Sequence, residues 1–161
     1  MAVDMFLKIE GIEGEAQDKA HAKEIDVLAW SWGMSQSGTT HTGPGGGAGK
    51  VNVQDLSITK YIDKATPNLM MYCCNGKHVK EMKLTVRKAG EQPVEYIKIT
   101  MTDGLISSVS TGGSGGEDRL TENISLNFAK VKIEYTPQKP DGSPDTTIPK
   151  VWNIAQNAEE G

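Results

Sequence analysis

Apolar residues recur at every second position in one segment of this chain after another, the period a β-strand with one buried face requires. Met5, Leu7 and Ile9 alternate with Phe6, Lys8 and Glu10. Met82, Leu84 and Val86 alternate with Lys83, Thr85 and Arg87. Ile97, Ile99 and Met101 predict another strand, Leu105 to Ser110 a short one, and a long one runs through Ile124, Leu126, Phe128, Val131, Ile133 and Tyr135. The parity slips twice, between Val53 and Leu56 and between Phe128 and Val131. A one-residue slip flips the buried face. A bulge or break is therefore predicted at Gln54-Asp55, and a second bulge, or a bend between two sheets, at Ala129-Lys130.

Val27 to Gly33 predicts a strand of an unusual kind. Leu28, Trp30 and Trp32 share a bulky face that must be buried, whereas Ala29, Ser31 and Gly33 share a uniformly small one. The small face is either closely approached by another element or lines a smooth surface. One helix is predicted over 66–75, with Thr66 as N-cap, Pro67 at the first helical position and Gly76 ending it. The tail over 137–149 is rich in Pro, Gly, Asp and Thr and reads as an exposed loop. Val151-Trp152-Asn153-Ile154 then returns as an edge strand. Seven or more strands and one short helix make the fold mainly β, a barrel or two-sheet sandwich closed by the helix.

A chain of 161 residues is long enough for one domain, residues 1–161, with a sizeable core. Its 18 glycines are clustered, six between Gly38 and Gly49 and four between Gly112 and Gly116. This is a compact domain carrying two Gly-rich loops, the first over 34–49. Both loops invite a nucleotide-binding reading, and both fail it. A P-loop ending at Gly49-Lys50 would put its first glycine at Pro44 and its hydroxyl residue at Val51, with a strand pattern following where a helix should start. A GxGxxG run from Gly113 meets Asp118 at its last position.

Other chemistries are equally unsupported. The net charge is −4, and no cluster of basic residues interleaved with aromatics predicts nucleic-acid binding. The longest apolar run, Leu69 to Cys74, is too short to span a bilayer, so no membrane insertion is expected. Met1 to Met5 lacks the basic-then-apolar pattern of a secretory leader, which predicts folding in the cytoplasm. Cys73 and Cys74 are adjacent and read as two small hydrophobes, not as a disulfide framework. His21, His41 and His78 lie in separate segments and predict no metal site. Asn123-Ile124-Ser125 matches a glycosylation acceptor but falls in mid-strand, where chance explains it better. No serine sits in a nucleophile elbow and neither cysteine has an evident histidine partner. No catalytic residue and no cofactor is predicted, and the chain reads as a binding or assembly protein, not an enzyme.

Several blocks, in order, resemble one family. They are Val3-Asp4-Met5-Phe6-Leu7-Lys8-Ile9; Glu24-Ile25-Asp26-Val27-Leu28-Ala29-Trp30-Ser31-Trp32-Gly33; Gly49-Lys50-Val51-Asn52-Val53-Gln54-Asp55-Leu56; Tyr61-Ile62-Asp63-Lys64 running on to Thr66-Pro67-Asn68-Leu69-Met70-Met71; and Val109 to Asn123 with its GGSGGEDRL core and the following strand. Over residues 1–136, with a looser Trp152-Asn153-Ile154, the chain resembles the haemolysin-coregulated protein (Hcp) family. That resemblance implies a tube protein of the bacterial type VI secretion system, similar in fold to phage tail-tube proteins. It implies homohexameric rings stacked into a hollow tube inside a contractile sheath. Spike, baseplate, sheath and secreted effector proteins would be its partners, and export would proceed through the apparatus without a signal peptide. On this reading Ala29, Ser31 and Gly33 line the lumen and contact effectors, while Trp30 and Trp32 anchor the wall in the core. The Gly-rich loop, with Ser37, Gly38, Thr39, Gly45, Gly46 and Gly47, bridges stacked rings. A cyclic head-to-tail ring needs two different faces, and sheet edges are the natural ones. The competing reading is a monomeric β-barrel that binds a small ligand, with the Gly-rich loops at its mouth.

Overall fold

The computed structural model describes residues 2–37, 50–90 and 93–160. Its elements, in chain order, are β1 (Val3–Ile9), β2 (Ile25–Asp26), β3 (Ala29–Ser31), β4 (Met34–Ser35), β5 (Asn52–Val53), β6 (Leu56–Tyr61), α1 (Thr66–Asn75), β7 (Val79–Lys88), β8 (Val94–Thr111), β9 (Thr121–Tyr135), β10 (Ile148–Asn153) and β11 (Ala158–Glu160). The antiparallel path runs β11-β10-β9-β8-β7-β1-β2, and β6 adds to β9 and carries β3. β4 and β5 pair as a separate ribbon. The fold is mainly β with one short helix.

Two elements make the sheet curl. β9 pairs with β8 along its length, while its other edge is shared, with residues 121–126 bonding β6 and residues 130–135 bonding β10. The segment 25–31 crosses between the ends of the path, pairing with β1 through β2 and with β6 through β3. The ladder is not a continuous closed barrel, because it is interrupted between β2 and β3. There the Val27 N–H donates to the Met5 carbonyl (3.0 Å) and the Leu28 N–H to the Thr59 carbonyl (2.8 Å), one toward each side. Alternation does the rest. Leu7, Ile9, Leu56, Ile58, Leu84, Ile99, Met101, Ile124 and Leu126 point inward into one core, and Leu69 of α1 packs onto it.

Several expected details change. The strand predicted over Val27 to Gly33 is broken, with only Ala29–Ser31 remaining in a ladder, and Leu28 is 41% exposed because it sits at the crossover. The two strands predicted over 97–101 and 105–110 are one, β8. It kinks at Asp103, whose φ is +52°, without losing register to β9, and its register with β9 shifts between Ile106 and Ser108. β9 is likewise continuous through Ala129-Lys130, where its second edge passes from β6 to β10. The break at Gln54-Asp55 separates β5 in the ribbon from β6 in the main sheet. Met34–Ser35, assigned to the Gly-rich loop, forms β4. Ile148–Pro149, assigned to the C-terminal loop, starts β10, and the edge strand is β11 instead.

The helix ends at Gly76, as its left-handed φ of +64° requires, but its N-cap is Ala65 and not Thr66. The Thr66 hydroxyl is engaged elsewhere. Lys60 and Glu122, register partners on β6 and β9, both point into the core and lie 2.7 Å apart. The Lys60 ammonium also reaches the Asp63 carboxylate at 2.9 Å, and the Thr66 hydroxyl donates to the same Glu122 oxygen at 2.7 Å. Asp63 replaces the missing cap by accepting from the Ala65 N–H at 2.9 Å.

Between β1 and β2 the chain makes an excursion, residues 10–24, that folds over the outer side of β1, β7 and β8. His21 stacks on Phe6, centroids 4.5 Å apart and rings 11° from parallel. Its Nδ1 lies 2.9 Å from Glu24 and its Nε2 2.6 Å from Glu95. Arg87 donates to both Asp18 oxygens, at 3.0 and 2.7 Å, and to Asp4 at 3.0 Å. That guanidinium holds the Asp18 carboxyl at about 2, and the Asp18 and Asp4 carboxylates in turn raise Arg87. Burial pushes Glu95 up, but hydrogen bonding to His21 and the charges of His21 and Lys98 together hold it below the usual range.

Candidate functional site

The small face expected at Ala29, Ser31 and Gly33 is the starting point. Ala29 and Ser31 are exposed on β3, while the indole of Trp30 points the other way and packs, half-buried, against the core. Trp32 has left the strand. It is half-buried, its Nε1–H donates to the Gln54 carbonyl at 2.8 Å, and its ring lies 6.1 Å from that of Phe128. Gly33 is also past the end of β3, where its carbonyl accepts from the Gln54 N–H at 2.9 Å. A Cβ there would meet the Gln54 side chain at 3.4 Å. The structure thus keeps Ala29 and Ser31 together and sets Gly33 apart.

Register extends the two into a larger surface. Ser31 is opposite Ser57 of β6, Ser57 opposite Ser125 of β9, and Ser125 opposite Ser108 of β8. In the adjacent row Ala29 is opposite Thr59, Thr59 opposite Asn123, and Asn123 opposite Ser110. Side chains opposite each other in a ladder share a face, so eight residues on four strands make one patch. It carries hydroxyls, one amide and one methyl, and no ionisable group. The Thr59 hydroxyl donates to the Asn123 carbonyl oxygen at 2.8 Å, and the Ser57 and Ser125 oxygens lie 3.5 Å apart. At one margin Asp55 accepts from the Ser107 hydroxyl (2.6 Å) and the Asn127 amide (2.9 Å), tying down the register shift in β8.

Sequence reading named only the β3 members of this patch. The signal for the others was present: Ser57 and Thr59 alternate with the buried Leu56 and Ile58, and Asn123 and Ser125 with Ile124 and Leu126. What was missing was register, which alone shows that these polar faces abut. Ser37 is exposed, and its N–H donates to the Gln36 side chain at 3.1 Å. Gly38, Thr39, Gly45, Gly46 and Gly47 lie outside the described residues.

Among the described residues no imidazole or ammonium is hydrogen-bonded to the patch's hydroxyls. Among the described residues no group of three or more His, Cys, Asp or Glu is placed to hold a metal ion. Cys73 is partly buried on α1, Cys74 is exposed, and both are free thiols. No helix among the described residues is long and apolar enough to cross a membrane. A separate cavity of about 270 Å³ lies beneath the ribbon, lined by Trp32, Met34, Val51, Val53, Ile133 and Trp152 among others, all apolar.

Comparison with known proteins agrees with this architecture. A family model described as "Type VI secretion system effector, Hcp" matches residues 6–135. Protein hcp1 of Pseudomonas aeruginosa is 68% identical over 161 residues, covering 99% of each chain. The crystal structure of Hcp1 from Salmonella typhimurium is 43% identical, covers 99% of this chain and 100% of its own, and superposes with a TM-score of 0.82. That of a type VI secretion system effector from Yersinia pestis is 39% identical, covers 93% and 99%, and gives 0.77. The match spans the strands that carry the hydroxyl patch, and the chain belongs to the Hcp family of type VI secretion system proteins.

Proposed function

We propose that this chain is the structural tube subunit of a type VI secretion system. Six copies close a ring, rings stack into a hollow tube within the contractile sheath, and the tube is expelled with the spike while effector proteins ride in its lumen. The whole chain acts as one domain in this role. Membership of a secretion family whose members self-associate is the background. The observation that carries the reading is the uncharged patch on β3, β6, β9 and β8. A patch of short hydroxyl and amide side chains offers weak polar contacts over a broad area and grips no one charge pattern, which suits a conduit for varied cargo. Ala29 and Ser31 are its exposed members on β3 and are assigned to effector contact, while Trp30 and Trp32 hold the wall from behind.

Ring closure has candidate edges. The outer edges of β11 and of β3 are unpaired among the described residues, and they are different edges, as a head-to-tail ring needs. The loop after β4, including Ser37, Gly38, Thr39, Gly45, Gly46 and Gly47, is assigned to contact between stacked rings. Export through this apparatus requires no signal peptide. Native mass spectrometry tests the reading: a six-fold species is expected, and a monomer that persists at high concentration would overturn it. The ligand-module alternative rests on the cavity beneath the ribbon. Its lining offers no polar group to orient a ligand, which binding sites ordinarily supply.

A further inference from the structure

The outer face of β1, β7, β8 and β9 contrasts with the hydroxyl patch. Lys8 is directly opposite Lys83, Lys83 opposite Thr100, and Thr100 opposite Lys132. Three of the four positions in one cross-sheet row are therefore lysine, and strands about 4.8 Å apart make the row about 14 Å long. At its β1 end, Lys19 and Lys23 of the 10–24 excursion border an open depression together with Lys8, and Glu10, Glu13 and Glu24 share its lining. Lys23 stands in a left-handed backbone conformation, φ +67°, that non-glycine residues seldom take.

Of these lysines, Lys132 alone has an ion-pair partner among the described residues, Glu134 at 3.9 Å. Among the described residues, Lys8, Lys19, Lys23 and Lys83 form no ion pair, whereas Lys60, Lys64, Arg87, Lys98, Lys130 and Lys132 each do. Carboxylates are not scarce in a chain of net charge −4. Glu10 and Glu81 flank the row two positions on from Lys8 and Lys83 without closing on them. Like charges directly opposite in a ladder weaken it, so the fold gains nothing from Lys8 facing Lys83.

We propose that the Lys8–Lys83–Lys132 row, bordered by Lys19 and Lys23, is a docking surface for a partner protein segment that presents a row of carboxylates. The partner is a protein rather than a nucleic acid because the lysines are interleaved with acid. Glu134 lies 3.9 Å from Lys132, and Glu10 and Glu81 border the other two. A phosphate backbone would meet those carboxylates with more negative charge, whereas a protein segment of mixed charge can answer both signs. The surface shares no residue with the hydroxyl patch or with the β3 and β11 edges assigned above to ring closure.

The test uses the full chain, isotope-labelled for NMR at low salt, titrated with an eight-residue peptide of alternating Glu and Ala. Amide shifts should move at Lys8, Lys83, Thr100 and Lys132, and binding should weaken about tenfold or more at high salt as screening sets in. The Gln-Ala counterpart should not bind. K8Q/K83Q should weaken the interaction about tenfold, since two of the charges that steer and hold the peptide are gone. Shifts that cluster elsewhere would overturn the proposal, even if the variant failed to fold. So would equal binding of the Gln-Ala peptide, tighter binding of a 20-nucleotide single strand or of phosphatidylserine vesicles, or a lysine face occupied only by another copy of the chain.

Discussion

Lys60 and Glu122 are the most consequential polar residues in the fold, being 0% and 1% exposed in an otherwise apolar core. Removing one partner of a buried pair leaves a desolvated charge, which costs about 3–5 kcal/mol, while replacing both with apolar side chains is often neutral. Lys60→Met should therefore destabilise by about 3–5 kcal/mol in urea unfolding, and Lys60→Met/Glu122→Leu should recover most of that loss. The Arg87–Asp18 contact acts at the surface and answers to pH. Because the folded-state carboxyl is depressed from 3.8 to about 2, its contribution is complete above pH 4 and is lost as pH falls toward 2. Amide hydrogen exchange over residues 14–24 should accelerate across that window in the wild type. In Asp18→Asn it should already be fast at neutral pH, and a pH-independent wild-type profile would refute the clamp. Neither cluster was legible in the sequence, because Lys60 and Glu122 lie 62 positions apart and Asp18 and Arg87 69.

At the scale of elements, the long strands depend on one close approach. Gly104 follows the left-handed Asp103, and a Cβ on it would sit 2.5 Å from the Asn127 carbonyl oxygen of the neighbouring strand. Backbone cannot move aside as a side chain can. Gly104→Ala should cost about 1–3 kcal/mol, the range for forcing volume into a packed site, and should broaden the Phe128 and Asn127 NMR signals before those of β1. Unchanged stability would mean β8 straightens at no cost. This kink explains why one strand looks like two in sequence. The alternation of Ile97, Ile99 and Met101 stops at Asp103 and resumes out of phase at Ile106, as it would for two strands joined by a turn. The helix shows the reverse case. Pro67 and Gly76 announce both its ends locally, yet Thr66, the obvious cap, is drawn away by Lys60 and Glu122, contacts that no local rule contains.

For the whole molecule, the hydroxyl patch and the ring edges carry the proposed function. Ser31 is exposed; on the proposed tube assignment, Ser31→Tyr should leave hexamers intact in native mass spectrometry and reduce co-purification of effector. Effector retained at wild-type level would remove Ser31 from the lumen. Deleting Ser37–Gly47 should likewise leave rings but shorten tubes in electron microscopy. Sequence by itself determined the mainly β class, the span of α1 and the break at Gln54-Asp55. Each of these follows from residues within a few positions of one another, where periodicity and turn chemistry act. Only the tertiary structure decided which strands lie side by side. Register across β3, β6, β9 and β8 joined scattered serines into one surface, and register across β1, β7, β8 and β9 aligned the lysines. Backbone hydrogen bonding between strands is the same for every sequence, so neighbours are selected by the packing of all the inward faces at once.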